Sequence, residues 1–260
     1  MKTNLNLPIN QLNKENLAGI ELICFDSDGV TKKKGTEFRI ENGQQQIVSY
    51  PPTLEMTEKL KRLTKYFHVT FSSGRALDYL QNIYSEIVAI NGSLQAEIGM
   101  YLELDKVRYT NYDLRIEQIK KLKKIRLELE KIKNPKIKGF EPKEYLITLH
   151  CQEKVVEVEK IVDQEDKEKE LFCWWNEEAY DIGLKKVNKG SGLRKLTEKL
   201  GVKMSEVMTV GNGINDEEMT DVTGVDISTD PKHLEADFAV WGEEVGGEKV
   251  VDRILKIVEK

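Results

Sequence analysis

What most constrains this chain is a set of short apolar runs that stop abruptly at turn residues. They occupy residues 22–25, 68–71, 87–90 and 207–210, with a weaker pair at 225–227 and 238–240. Runs this short, flanked by turns, read as strands buried on both faces of a parallel sheet. Helical spacing fills the gaps: Leu54, Leu60, Leu63 and Phe67 after Pro51, Pro52 and Thr53, then Leu77, Leu80 and Tyr84. Later come Leu193, Leu196 and Leu200 ending at Gly201, then Met219 and Val222 ending at Gly224. Val250, Val251, Ile254, Leu255 and Val258 close the chain in the same way. Alternation of this kind predicts an α/β fold with a doubly wound parallel sheet.

The rhythm breaks in the middle. Residues 93–184 read as an extended patch, a long helix rich in Lys and Glu, and then strands mixed with a second charged helix. This predicts an inserted α+β domain, with residues 1–92 and 185–260 forming the core. The basic run at 119–138 carries Glu128, Glu130 and apolar residues at helical spacing, so it reads as a solvated amphipathic face and not as a nucleic-acid or membrane surface.

Composition agrees. With 260 residues, 39% hydrophobic and 33% charged, the chain has enough apolar material for one large domain carrying an insertion. Forty basic residues against forty-five acidic ones, a net charge of −5, predict no general attraction to nucleic acid or anionic membrane. The three cysteines, Cys24, Cys151 and Cys173, are widely spaced and form no CxxC pair, which fits a reducing compartment. No stretch approaches a membrane span and the first residues lack a signal-peptide pattern, so the expected location is cytoplasmic. His68, His150 and His233 are scattered without metal-ligand spacing and read as structural or surface residues. Oligomeric state and the role of residues 1–20 are not legible.

The chemistry lies in polar clusters that directly follow predicted strands: Asp26-Ser27-Asp28-Gly29, Ser72-Ser73-Gly74-Arg75, and Gly211-Asn212-Gly213-Ile214-Asn215-Asp216. In a parallel sheet the carboxyl ends share one edge, which is where open α/β sheets bind ligands. Asp26 and Asp28 at one tip repel unless a cation or proton lies between them. A hard dication is the simplest remedy. Asn212, Asn215 and Asp216 at a neighbouring tip add oxygen donors, a set that suits magnesium better than zinc. Ser73 and Gly74, at the mouth of a helix, have a hydroxyl and backbone N–H groups suited to a phosphate oxygen, although a serine there also reads as a helix cap. Lys189 before Gly190 supplies a cation suited to a phosphoryl group.

Together FDSDGV at residues 25–30, SSGR at 72–75, NKG at 188–190 and GNGIND at 211–216 resemble the four motifs of the haloacid dehalogenase superfamily, in its order and spacing. An insertion between the second and third motifs, preceded by Asn91-Gly92, resembles the class II subclass B cap, found in sugar-phosphate phosphatases and phosphomannomutases. The resemblance implies a Rossmann-like core. It makes Asp26 the nucleophile that takes the phosphoryl group and Asp28 the general acid and base, with Ser73, Gly74 and Lys189 binding phosphate. Mg2+ would be held by Asp26, the backbone carbonyl of Asp28, Asn212 and Asp216.

One departure stands out: the fourth motif usually begins Gly-Asp, and here Asn212 follows Gly211. A neutral amide in place of an anionic ligand lowers the expected metal affinity. The expected activity is hydrolysis of a small phosphorylated sugar or glycosyl compound. The alternatives are a phosphomutase of the same fold and, because of Asn212, a non-catalytic ligand-binding relative. A dinucleotide-binding reading of Gly211 and Gly213 is opposed by Asp216, whose charge would repel pyrophosphate. In the insertion, residues 174–178 (WWNEE) place an aromatic beside amide and carboxylate groups, a combination suited to a sugar ring; adjacent strand residues face opposite ways, so at least one tryptophan is expected in packing.

Overall fold

The structure, a computed structural model, describes residues 5–41, 44–220 and 222–260. It divides into two compact units, one of residues 1–34, 50–111 and 188–260 and the other of residues 35–49 and 112–187.

The larger unit is built on a nine-stranded sheet. Leu22–Asp26 lies in its interior, paired in parallel with Val207–Gly211 on one side and His68–Ser72 on the other. Beyond Val207–Gly211 come Val225–Ser228, Phe238–Ala239 and Leu7–Pro8, all parallel; beyond His68–Ser72 comes Gly92–Ala96, also parallel. The chain therefore winds outward from Leu22–Asp26 in one direction and returns on its other side, making that strand the switch point of the sheet. The first residues, illegible in the sequence, form the Leu7–Pro8 edge strand and a short helix at Lys14–Leu17.

Period-two alternation assigns the two faces. Ile23 and Phe25 pack with Val69, Phe71, Met208 and Val210 beneath helices Leu54–Leu63, Leu77–Asn91 and Gly247–Val258. Leu22 and Cys24 face the other way, with Leu193, Leu196 and Met219. Cys24 is fully buried, as a core residue should be. Thr53 caps Leu54–Leu63 by accepting from the Met56 N–H at 3.1 Å, and Gly201 ends Lys189–Leu200 in the left-handed conformation at φ 71°.

Two expectations are corrected here. Residues 87–90 are not a strand but the last turn of helix Leu77–Asn91. Leu77, Leu80, Tyr84 and Ile87 continue one buried stripe at 3–4 spacing, with no turn residue between them, while Ile90 is exposed. The strand begins at Gly92. The insertion also does not run over 93–184: Gly92–Ala96 and the antiparallel hairpin Tyr101–Leu104 and Val107–Thr110 extend the large sheet, burying Leu94, Ala96, Leu102 and Leu104 in its two cores.

The second unit gains instead the hairpin Thr36–Glu41 and Gln44–Ser49, where Phe38 meets the His150 ring edge-on at 4.9 Å. Its antiparallel sheet of four strands runs Leu171–Trp175, Ala179–Leu184, Ile147–Cys151, Ile137–Phe140. Helices Ile116–Glu130 and Val156–Glu165 bury Leu122, Ile125, Leu129, Val158 and Val162. The basic helix is neutralised locally, with Lys121 bonded to Asp166, Glu168 and Glu170. Among the described residues no helix is long and apolar enough to cross a membrane.

Candidate active site

Asp26 is the last residue of the switch-point strand, and its register partner Ser72 lies beside it. Lys189, the first residue of helix Lys189–Leu200, is aimed by its N-cap: the Asn188 side chain accepts from the Ser191 N–H at 2.7 Å. Its ammonium donates to Asp26 Oδ1 and Asp216 Oδ1, both at 2.6 Å, and is wholly buried. The other oxygen of Asp216, Oδ2, accepts from the N–H groups of Asn212 (2.8 Å) and Gly213 (3.1 Å). Asp216, expected among the metal ligands, instead has both oxygens engaged, bracing Lys189 and the GNGIND loop. Burial pushes the Asp26 carboxyl up to about 6 despite Lys189. For Lys189 burial favours the neutral amine, and Asp216 and Asp26 outweigh it, holding the ammonium above the ordinary lysine range.

Asp28 leaves the strand on a tight turn. Gly29 has φ +80°, a conformation that side-chain-bearing residues rarely adopt, and a Cβ there would also displace the ends of Lys34 and Asn212 (2.4 Å from Cε and 2.5 Å from Nδ2). Lys32 Nζ donates to Asp28 Oδ1 at 2.5 Å, while Arg75 donates to Oδ2 through Nε and to Oδ1 through Nη2, both at 3.1 Å. Burial alone would raise the Asp28 carboxyl, but Arg75 and Lys32 prevail and hold it below the usual carboxylate range.

Ser73 does not cap the helix after it. That helix starts at Leu77 with Ala76 as N-cap and without a side-chain cap bond. Instead the Ser73 hydroxyl accepts from the Arg75 N–H at 3.2 Å, and its own N–H donates to the Gln95 carbonyl at 2.9 Å. Gly74 lies between them, half-buried. The sequence-predicted residues Asp26, Asp28, Ser73, Gly74, Lys189, Asn212 and Asp216 thus all fall in the larger unit at the carboxyl ends of adjacent strands or the start of one helix.

Sequence reasoning overlooked the residues that fix these loops. The Tyr84 hydroxyl bonds both Ser27 Oγ (2.8 Å) and Thr31 Oγ1 (2.6 Å). Gln95 Nε2 donates to Ser72 Oγ and to the Lys189 carbonyl, each at 2.8 Å, tying motifs more than a hundred residues apart. Arg75 lay inside a recognised motif, but nothing in the sequence signals the roles of Lys32, Tyr84 and Gln95.

A magnesium ion fits the donors present. Asp26 offers a carboxylate, Asp28 a main-chain carbonyl and Asn212 an amide, all hard donors once the amide presents its oxygen. Asn212 Nδ2 now donates to the Asp28 carbonyl at 2.7 Å. The histidines all have protein partners: Asn91 and Ser93 for His68, Glu141 for His150, and Asp230 for His233.

The second unit carries its own polar network on one face of its sheet. Lys143 Nζ bonds Glu141 Oε2 and Thr148 Oγ1, both at 2.6 Å; Thr148 donates to Asp181 at 2.5 Å, and Asn176 donates to Asp181 at 3.1 Å. Trp174, cross-strand from Asp181, stacks on Phe172 at 4.0 Å, and Trp175 turns to the opposite face against Tyr180 at 4.9 Å.

Residues 81–229 match the family model of the haloacid dehalogenase-like hydrolases. The chain is similar in fold to the C-terminal domain of a trehalose-6-phosphate phosphatase from C. albicans, at 16% identity and a TM-score of 0.72, with 100% of this chain and 99% of that one covered. It is also similar to a haloacid dehalogenase-like hydrolase from Bacteroides thetaiotaomicron (14% identity, TM-score 0.67, 90% and 99% covered). A trehalose-6-phosphate phosphatase from Aspergillus fumigatus aligns over 98% of this chain and 100% of its own length, at 16% identity and a TM-score of 0.60. The family model spans more than half of the chain, and with the motif residues gathered at one sheet edge the protein is an enzyme of the haloacid dehalogenase-like hydrolase family.

Proposed function

We propose that the protein is a magnesium-dependent phosphatase that hydrolyses the phosphate monoester of a small sugar or glycosyl compound through an aspartyl-phosphate intermediate. The observation that carries this reading is Asp26 at the switch-point strand tip, 2.6 Å from the buried Lys189 ammonium, with a second carboxyl two residues away.

In the first step an Asp26 oxygen attacks phosphorus and the bond to the substrate alcohol breaks, its oxygen taking a proton from Asp28. In the second, water attacks the same phosphorus, Asp28 takes a water proton, and release of inorganic phosphate restores Asp26. Lys189, the Ser73 hydroxyl and the Gly74 N–H oppose the charge that builds on the phosphoryl oxygens. Magnesium, held by Asp26, the Asp28 carbonyl and Asn212, would supply further neutralisation of that charge. Asp216 serves by holding Lys189.

The relatives named for trehalose 6-phosphate support a sugar as the leaving group.

The test is phosphate release from a panel of sugar phosphates by wild type and Asp26→Asn across a magnesium titration. Magnesium-dependent release that disappears in the variant is the expected result. Isomerised sugar phosphate without net phosphate release would replace the phosphatase with a mutase, and folded protein silent on every substrate would leave a binding role.

A further inference from the structure

Three lysines follow one another after the Asp28 turn, and the structure treats them differently. Lys33 and Lys34 are exposed, whereas Lys32 is 1% exposed. Its ammonium turns back four residues to Asp28 Oδ1 at 2.5 Å, and the Tyr79 ring lies 5.7 Å from Nζ. Burying an ammonium is costly, and an ion pair seldom returns more than that cost in stability. Nor is the charge needed to close the turn. The Ser27 carbonyl already accepts from the N–H groups of Val30, Thr31 and Lys32, Gly29 N–H donates to the Lys32 carbonyl at 2.7 Å, and Tyr84 ties Ser27 to Thr31. The ammonium fixes one carboxylate oxygen of Asp28 from within the turn, while Arg75 reaches both oxygens from the neighbouring strand end.

We propose that Lys32 is a positioning residue for catalysis, fixing the Asp28 side chain where it meets the leaving-group oxygen and then the attacking water. This rests on the phosphatase reading above. Asp28 matters most when the leaving oxygen is a poor one, so a loss of its placement must fall unequally on substrates. An alkyl phosphate needs the proton, and p-nitrophenyl phosphate expels a stable phenolate without it.

The experiment compares kcat and KM of wild type, Lys32→Met and Lys32→Gln on glycerol 1-phosphate and on p-nitrophenyl phosphate, with circular dichroism of each. The expected result is a kcat loss about tenfold or more larger on the alkyl substrate, with KM within about threefold of wild type. Equal losses on both substrates, or a change confined to KM, overturn the proposal and leave the phosphatase reading standing. Failure of both variants to fold overturns it too, since Lys32 would then serve the turn itself. A folded wild type that releases phosphate from neither substrate, nor from any member of the sugar-phosphate panel, overturns both readings together.

Discussion

Replacing Asp26 by asparagine should make the protein more stable at neutral pH while removing its activity. Asp26 is 6% exposed, and burial raises its carboxyl from 3.8 to about 6 even beside Lys189. At about 1.4 kcal/mol per pH unit, keeping this group ionised costs the folded state about 3 kcal/mol. The folded pKa lies above the unfolded one, so the native state holds the extra proton between them. The favourable contribution is complete below pH 3.8 and is lost as pH rises through about 6. Asparagine has the same shape without the charge, and Lys189 keeps Asp216 as its partner. Urea unfolding followed by circular dichroism in EDTA should therefore show Asp26→Asn about 3 kcal/mol more stable at pH 8 and nearly equal to wild type at pH 4. A variant less stable than wild type at both pH values would refute the reasoning, because the Asp26–Lys189 pair would then return more than burial costs.

Four further outcomes follow from the geometry. Gly190→Ala places a Cβ 1.9 Å from the Glu218 carbonyl oxygen, so the helices starting at Lys189 and Glu217 must separate, with a loss of at least about 2 kcal/mol in urea unfolding. Tyr84→Phe removes the hydroxyl shared by Ser27 and Thr31 and should cost about 1–2 kcal/mol in the same assay. Asn212→Asp adds a carboxylate where an amide now stands, and isothermal titration should show tighter magnesium binding by about tenfold. Asp28, held below the usual carboxylate range by Arg75 and Lys32, loses its acid form as pH rises, and above about pH 6 no further ionisation of the Asp26 nucleophile offsets this, so there kcat/KM on alkyl phosphates should fall about tenfold per pH unit.

The sequence alone determined the α/β class, the strand tips and the polar groups on them, because each is a local property. A four-residue apolar run ending in Asp-Ser-Asp-Gly or Gly-Asn-Gly states its own burial and its own turn, wherever the rest of the chain goes. The same local reading misplaced residues 87–90, whose apolar content is shared by strand and buried helix and whose type was settled by the stripe begun at Leu77. It also gave residues 93–110 to the insertion, because edge pairing with His68–Ser72 is a long-range choice with no local mark. Tertiary structure alone decided which side chains meet. Lys189 finds Asp26 across 163 positions because the sheet winds outward from one strand and returns beside it. Lys32 instead of Lys33 or Lys34 turns inward because the turn begun at Gly29 aims only that position at Asp28.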